Sequence, residues 1–313
     1  MKRIFRSFAL AGLVSLGAPS VQAADFEPET AIQQLVVSGV VESWTGYTFY
    51  SGFESGDGGS EDLEDGLYSS YSGRLSLPLG DRLSAQMDAS LEVSSDHLYG
   101  TSADDEDRFE YGFQGIVHFS SRDPDTGLFG VFGGIGDGAA DGGEYPFYVA
   151  GGEAQLYLPD FTFYVQGGYF NTTSKESQHD DDGMQEAWFG RGVVRWFPTE
   201  DSRFQAEVSY ADGIVDKSES SNAEDDGHLV EWAVRYDTLL TGLPVIGDAG
   251  VFVGYRGGYF ENEDENERYT DHTVMVGFRH AFGGNSIKET DRIGATLDAP
   301  NFGRWVASGN ITD

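Results

Sequence analysis

The chain has no cysteine, only 19 Lys and Arg against 53 Asp and Glu, and no run of 18 consecutive apolar residues. Each lack excludes a class. Without cysteine there is no disulfide framework, thiolate nucleophile or zinc–thiolate site. A formal net charge of −34 makes nucleic acid and anionic membrane surfaces poor partners. The missing long apolar run excludes spanning helices but leaves spanning strands open. Apolar residues at the helical period of 3.6 are nearly absent too. No G-x-S-x-G elbow occurs, and the glycine-rich GVFGGIGDGAADGG leads to Pro146 and a strand pattern instead of a helix, which is the wrong context for a nucleotide loop. His272 and His280 stand alone without a serine motif, so no enzyme and no cofactor are expected.

What is present begins with MKRIFRSFALAGLVSLGAPSVQA, residues 1–23, in which Lys2, Arg3 and Arg6 precede an apolar run and Val21-Gln22-Ala23 ends it with small residues. This pattern predicts a cleaved secretory signal, with 24–35 as a short N-terminal segment of the mature chain. Glycine is abundant, 43 of 313 residues, and aromatics make up 14%. A disordered acidic chain would carry few aromatics.

The dominant period is 2. Twelve alternating segments are predicted, close to 36–50, 67–79, 82–95, 109–121, 127–136, 147–158, 161–172, 186–197, 203–215, 229–239, 250–260 and 270–282. Most exceed the roughly 9 to 11 residues of a tilted strand that crosses a bilayer. Long acidic connections such as SGFESGDGGSEDLEDG, SDHLYGTSADDEDR and SKESQHDDDGMQ follow the odd strands. Shorter turns such as LGD, RDPDT, LPD and PTEDS follow the even ones, TLLTGLPVIGD being the longest. One face of each strand is apolar, with aromatics at both ends: Trp188, Gly190, Gly192, Val194 and Trp196 alternate with Phe189, Arg191, Val193 and Arg195. The fold expected is all-β, an antiparallel up-and-down transmembrane barrel over 36–282 with 12 strands, 14 or 16 being the alternatives, long acidic extracellular loops and short periplasmic turns. A secreted sandwich is the competing reading.

In these features the sequence resembles the Gram-negative outer-membrane β-barrel proteins of the porin-like group, across about residues 36–282. Val274, Val276, Phe278, His280 and Phe282 look like that group's barrel-closing signal, with two departures. His280 stands where an aromatic is usual, and 31 residues follow Phe282. The resemblance implies a cell outer membrane location, contact with outer-membrane lipid and lipopolysaccharide, and recognition by the barrel-insertion machinery. It does not distinguish monomer from trimer.

Side chains that alternate with a lipid face line the lumen. The residues so placed are an acidic wall of Glu42, Asp88, Glu92, Glu110 and Glu153 and a basic wall of Arg191, Arg195, Arg235, Arg256 and Arg279. Arg74, His118, Glu207, Glu231 and Asp237 share those faces. Opposed walls resemble a porin constriction and predict a channel for passive diffusion of small hydrophilic solutes or ions, with cation preference as a secondary expectation. The same charges could instead pair across a filled interior. The alternative function is a non-transporting surface barrel, for adhesion or envelope stabilisation, that acts through its acidic loops. Those loops suit weak divalent cation binding but no defined metal site: in NAEDDGHLVEWA, Ala233 stands where a calcium loop needs a bidentate glutamate. The tail, 283–313, is either a loose periplasmic segment or a lumen-docking one, in which Phe302 and Trp305 would act as a plug.

Overall fold

In a computed structural model, which describes residues 36–54, 65–94, 109–140, 143–173, 183–216, 225–243, 247–263 and 267–308, the period-2 segments all form strands. They are β1 (Ser38–Glu54), β2 (Gly66–Pro78), β3 (Leu83–Ser94), β4 (Phe109–Asp123), β5 (Gly127–Ala140), β6 (Gly143–Leu158), β7 (Phe161–Thr172), β8 (Glu186–Thr199), β9 (Ser202–Asp216), β10 (Asp225–Leu243), β11 (Gly247–Asn262) and β12 (Glu267–Phe282). Each pairs antiparallel with its sequence neighbours, and β12 pairs with β1 from Gly39↔Phe282 to Ser51↔Thr270. The result is a closed barrel of 12 strands; 14 and 16 are excluded. The predicted leader and N-terminal segment, and most of the long acidic connections, lie outside the described residues.

Several strands run past their predicted ends. DGAADGGEY was expected as a loop, but β5 and β6 pair through it, with Gly138 opposite Tyr145 and Ala139 opposite Glu144. TLLTGLPVIGD was expected as a long turn, yet β10 and β11 leave only 244–246 between them, helped by Gly242 at φ +70°. Apolar alternation is enforced only at bilayer depth, so it fades before hydrogen-bonded pairing does.

The pleat sends alternate side chains to opposite faces. Val276, in the middle of β12, is 61% exposed, flanked outward by Val274 and Phe278; on β8, Trp188 is 70% exposed. His280 and Phe282 continue the outward row of β12. The inward row of β8 is buried throughout: Ala187, Phe189, Arg191, Val193, Arg195 and Phe197. A belt of exposed apolar side chains around a charged interior inverts the arrangement of a water-soluble protein. It is stable only with lipid outside.

After Phe282 the chain turns under β1 and into the barrel. Gly283 takes φ +84°, and a Cβ there would stand 2.5 Å from the Val37 carbonyl oxygen, so glycine is required at this corner. The tail has three parts. Helix α1 (Ile287–Ile293) begins at Ser286, whose Oγ accepts from the Glu289 amide at 3.0 Å, while Glu289 accepts from the Asn285 amide at 2.6 Å. Residues 294–300 are extended, and helix α2 (Phe302–Val306) follows, capped by Asn301. From Ala295 to Ser308 most side chains are buried.

We expect Val276→Arg, on the lipid side, to destabilise the barrel by about 2 to 4 kcal/mol, measured by reversible denaturant unfolding in phospholipid bilayers.

Candidate functional site

The site is the lumen and the tail within it. At the short-turn end, α1 rests on the turns: Lys288 Nζ lies 2.9 Å from Glu200 and 3.5 Å from Asp160, and Arg292 donates to the carbonyls of Leu158 and Phe161 at 2.5 and 3.0 Å. The extended segment then climbs along β3 and β4, which offer it glutamines in place of a strand edge. Gln86 donates to Leu297 O at 2.6 Å and accepts from Leu297 N at 3.3 Å. Gln114 does the same for Pro300 O at 2.8 Å and Phe302 N at 3.0 Å. A primary amide is the one side chain that matches a peptide's donor and acceptor together.

In the outer half, Phe302 and Trp305 are fully buried against Phe170 and Phe189, with ring centroids 5.1 to 6.0 Å apart. The Trp305 indole donates to Glu231 at 2.6 Å, and Tyr269 donates to Ser308 O at 2.8 Å. Gly303 presses the helix backbone onto the wall: a Cβ there would meet the Cα of Gly112 at 2.7 Å. The tail thus reaches from the level of Phe282 to that of Tyr269. At a rise of ~3.3 Å per residue and a tilt of about 45°, this is roughly 30 Å of height, close to the thickness of a hydrocarbon core.

Charge sets the cross-connections. Glu42 meets Arg74 at 2.6 Å, Arg235 at 2.8 Å and Arg279 at 3.7 Å; Glu92 meets Arg256 at 2.8 Å. His118 lies 2.9 Å from Glu153 and 3.4 Å from Asp88. Four of the five acids and all five arginines taken for the two walls therefore point inward. The side chain of Glu110 lies outside the described residues. The two sets do not stand apart as open walls, however, because several of their members are in direct contact. Closure sets the two groups side by side, since Arg279 on β12 is the register partner of Glu42 on β1, and unpaired charges in so confined a space are costly.

Sequence reasoning missed the tail's own charges. Asp298 lies 2.7 Å from Arg191, 3.3 Å from Arg195 and 3.8 Å from Arg74, and Asp291 lies 2.8 Å from Arg195. Arg304 meets Asp271 at 2.7 Å and Glu92 at 3.5 Å. Burial alone pushes the Asp298 carboxyl up, but Arg191, Arg195 and Arg74 outweigh it and hold the group below the ordinary aspartate range. For Asp291, burial is likewise outweighed, chiefly by Arg195. The available signal was the glutamine row: Gln86, Gln114 and Gln166 share the inward faces of β3, β4 and β7 with the acids and have no need of water if a peptide fills the lumen.

A closed antiparallel barrel with an apolar outer belt, short turns at one end and a charged interior defines the class: the chain is a transmembrane β-barrel of 12 strands. No protein-family model matches the sequence, and no curated protein is similar to it. Among solved structures it is similar to an outer-membrane channel from Pseudomonas putida F1, at 12% identity and a TM-score of 0.49, over 82% of this chain and 100% of that one. It is similar also to the KdgM porin in complex with disordered oligogalacturonate, at 8% identity and a TM-score of 0.42, over 76% and 98% of the two chains. A third is the CymD monoaromatic hydrocarbon channel, at 10% identity and a TM-score of 0.41, over 80% and 90%.

Depressed aspartates contribute stability above their unfolded pKa and lose it only as pH falls through the lower folded value. Tail docking should therefore persist at about pH 4, where a free aspartate is half protonated, and fail only in stronger acid. Trp305 is one of five tryptophans, so its emission is followed by difference against Trp305→Phe. Trp305→Ala should weaken docking by about 3 to 5 kcal/mol, read as faster hydrogen exchange in residues 301–308.

Proposed function

We propose that the protein is an outer-membrane channel for small hydrophilic solutes or ions whose C-terminal tail is its gate. The observation that carries this reading is how the tail is held. Beyond its chain connection at Gly283 it is bound only by reversible contacts, ion pairs and amide hydrogen bonds, and no disulfide ties it to the wall, since the chain has no cysteine. A filling meant only to stiffen a barrel is better made of apolar side chains projecting from the wall, because burying charge costs desolvation that packing does not. Passage requires the extended segment and α2 to move aside, which opens a path lined by the acidic and basic residues named above.

A second reading is favoured by one fact, that the lumen is occupied over most of its height. A filled barrel suits a non-transporting surface protein that works in adhesion or envelope stabilisation.

Conductance in planar bilayers separates the two. For the channel, the full chain should open rarely, and deletion of residues 285–313 should raise mean conductance by at least an order of magnitude. Folding of both forms is checked by heat-modifiable electrophoretic mobility. A folded, tail-deleted barrel that passes no current supports the surface protein instead.

A further inference from the structure

The tail carries an acid to the place where the wall is most in need of one. Among the described residues, the carboxylates paired with Arg195 are Asp291 and Asp298, both from the tail. Arg191 shares Asp298 with Glu207, and Arg74 shares it with Glu42. These three arginines come from β2 and β8, converge on one carboxylate, and are rigidly placed: Arg191 and Arg195 keep 4% and 1% of their side-chain exposure. The Arg191 Nε is buried and has no hydrogen-bond partner among the described residues, so the cluster retains donor capacity beyond what Asp298 uses.

Beside this contact the lumen is not filled. A cavity of about 220 Å³ is bordered by Arg74, Arg191, Arg203 and Arg235 and by Asp298 itself. Asp298 keeps 21% of its side-chain exposure, toward this space. A small molecule in the cavity reaches Arg74 and Arg191 beside Asp298, while Arg195 stands outside the cavity's lining, paired with Asp298 and Asp291.

We propose that the Arg74–Arg191–Arg195 cluster is a binding site for the carboxylate of a small solute, and that Asp298 occupies it as an internal stand-in until such a solute displaces it. The inference rests on the channel reading and names its substrate class. The guanidinium fork fits carboxylate and phosphate alike, and what selects the single carboxylate is that Glu42 and Glu207 stand beside the same arginines, where they repel a second negative charge. Displacement also has a direction. When Asp298 and Asp291 leave, Arg195 loses both of its carboxylate partners, and a solute carboxylate restores one. A solute that binds only the tail-out state shifts the population toward that state. The solute therefore opens its own path.

The test uses the full chain in planar bilayers at neutral pH, with propionate and its neutral analogue propionamide at equal concentration. Propionate should raise the open fraction several-fold and propionamide should leave it unchanged. Asp298→Asn should open more often without solute and lose most of the propionate response, and Arg195→Gln should lose that response as well. The comparison of the two solutes on the unaltered chain does not depend on either variant folding. Equal responses to propionate and propionamide, or channel openings indifferent to both, overturn the inference and leave the channel reading intact. Absence of current from the full chain, Asp298→Asn and the tail-deleted form alike overturns the channel reading, and this inference falls with it.

Discussion

Arg195 needs a carboxylate, and the carboxylates it meets are on the tail. Much of the interior follows from that requirement. A guanidinium does not give up its proton, so an arginine buried in a confined lumen without an anion or water carries a desolvation cost that a carboxylate offsets. Here Asp291 and Asp298 supply the charge, and to deliver it the chain must re-enter the barrel it has just closed. The turn at Gly283, the amide rails of Gln86 and Gln114, and the glycine contact between Gly303 and Gly112 all serve to bring those two carboxylates to that level.

The tail is anchored differently along its length. At the short-turn end it is tied through exposed charges, Lys288 to Glu200 and Asp160, which water and salt screen. At mid-height it is held by buried ion pairs, and in the outer half by Phe302 and Trp305 in an aromatic nest together with the buried pairing of Arg304 with Asp271. The middle contact is the one a small charged molecule can imitate. In the proposed gate, the aromatic contact is the part that favours the tail's return. A gate needs a closed state that is stable and an opening signal that competes with only part of it.

Legibility from sequence divided along the same line. All 12 strands, their inward and outward faces and the closing row from Val274 to Phe282 could be read from alternation, because the pleat fixes side-chain direction locally. Strand ends were read short where pairing outlasts the apolar pattern, as between Gly138 and Tyr145. Helix α1 was missed although Ser286 and Glu289 have capping-box spacing, since the segment has too few apolar residues to show a helical period. The inward glutamines Gln86 and Gln114 are visible in the alternation, but which backbone they hold is not, and nothing in the sequence near Asp298 marks it out among the tail's charged residues.

By itself, then, the sequence determined a membrane-spanning barrel of 12 strands with a lipid face and a charged face, for the reason that both faces follow from a repeat of two residues. Only the tertiary structure decided which acids meet which arginines and where the last residues go. Those contacts join positions far apart in the chain, 107 residues for Arg191 and Asp298 and 96 for Arg195 and Asp291, and they depend on how the closed sheet sets the height of each strand against the others. That stagger, set by closure, brings Asp298 level with Arg74, Arg191 and Arg195.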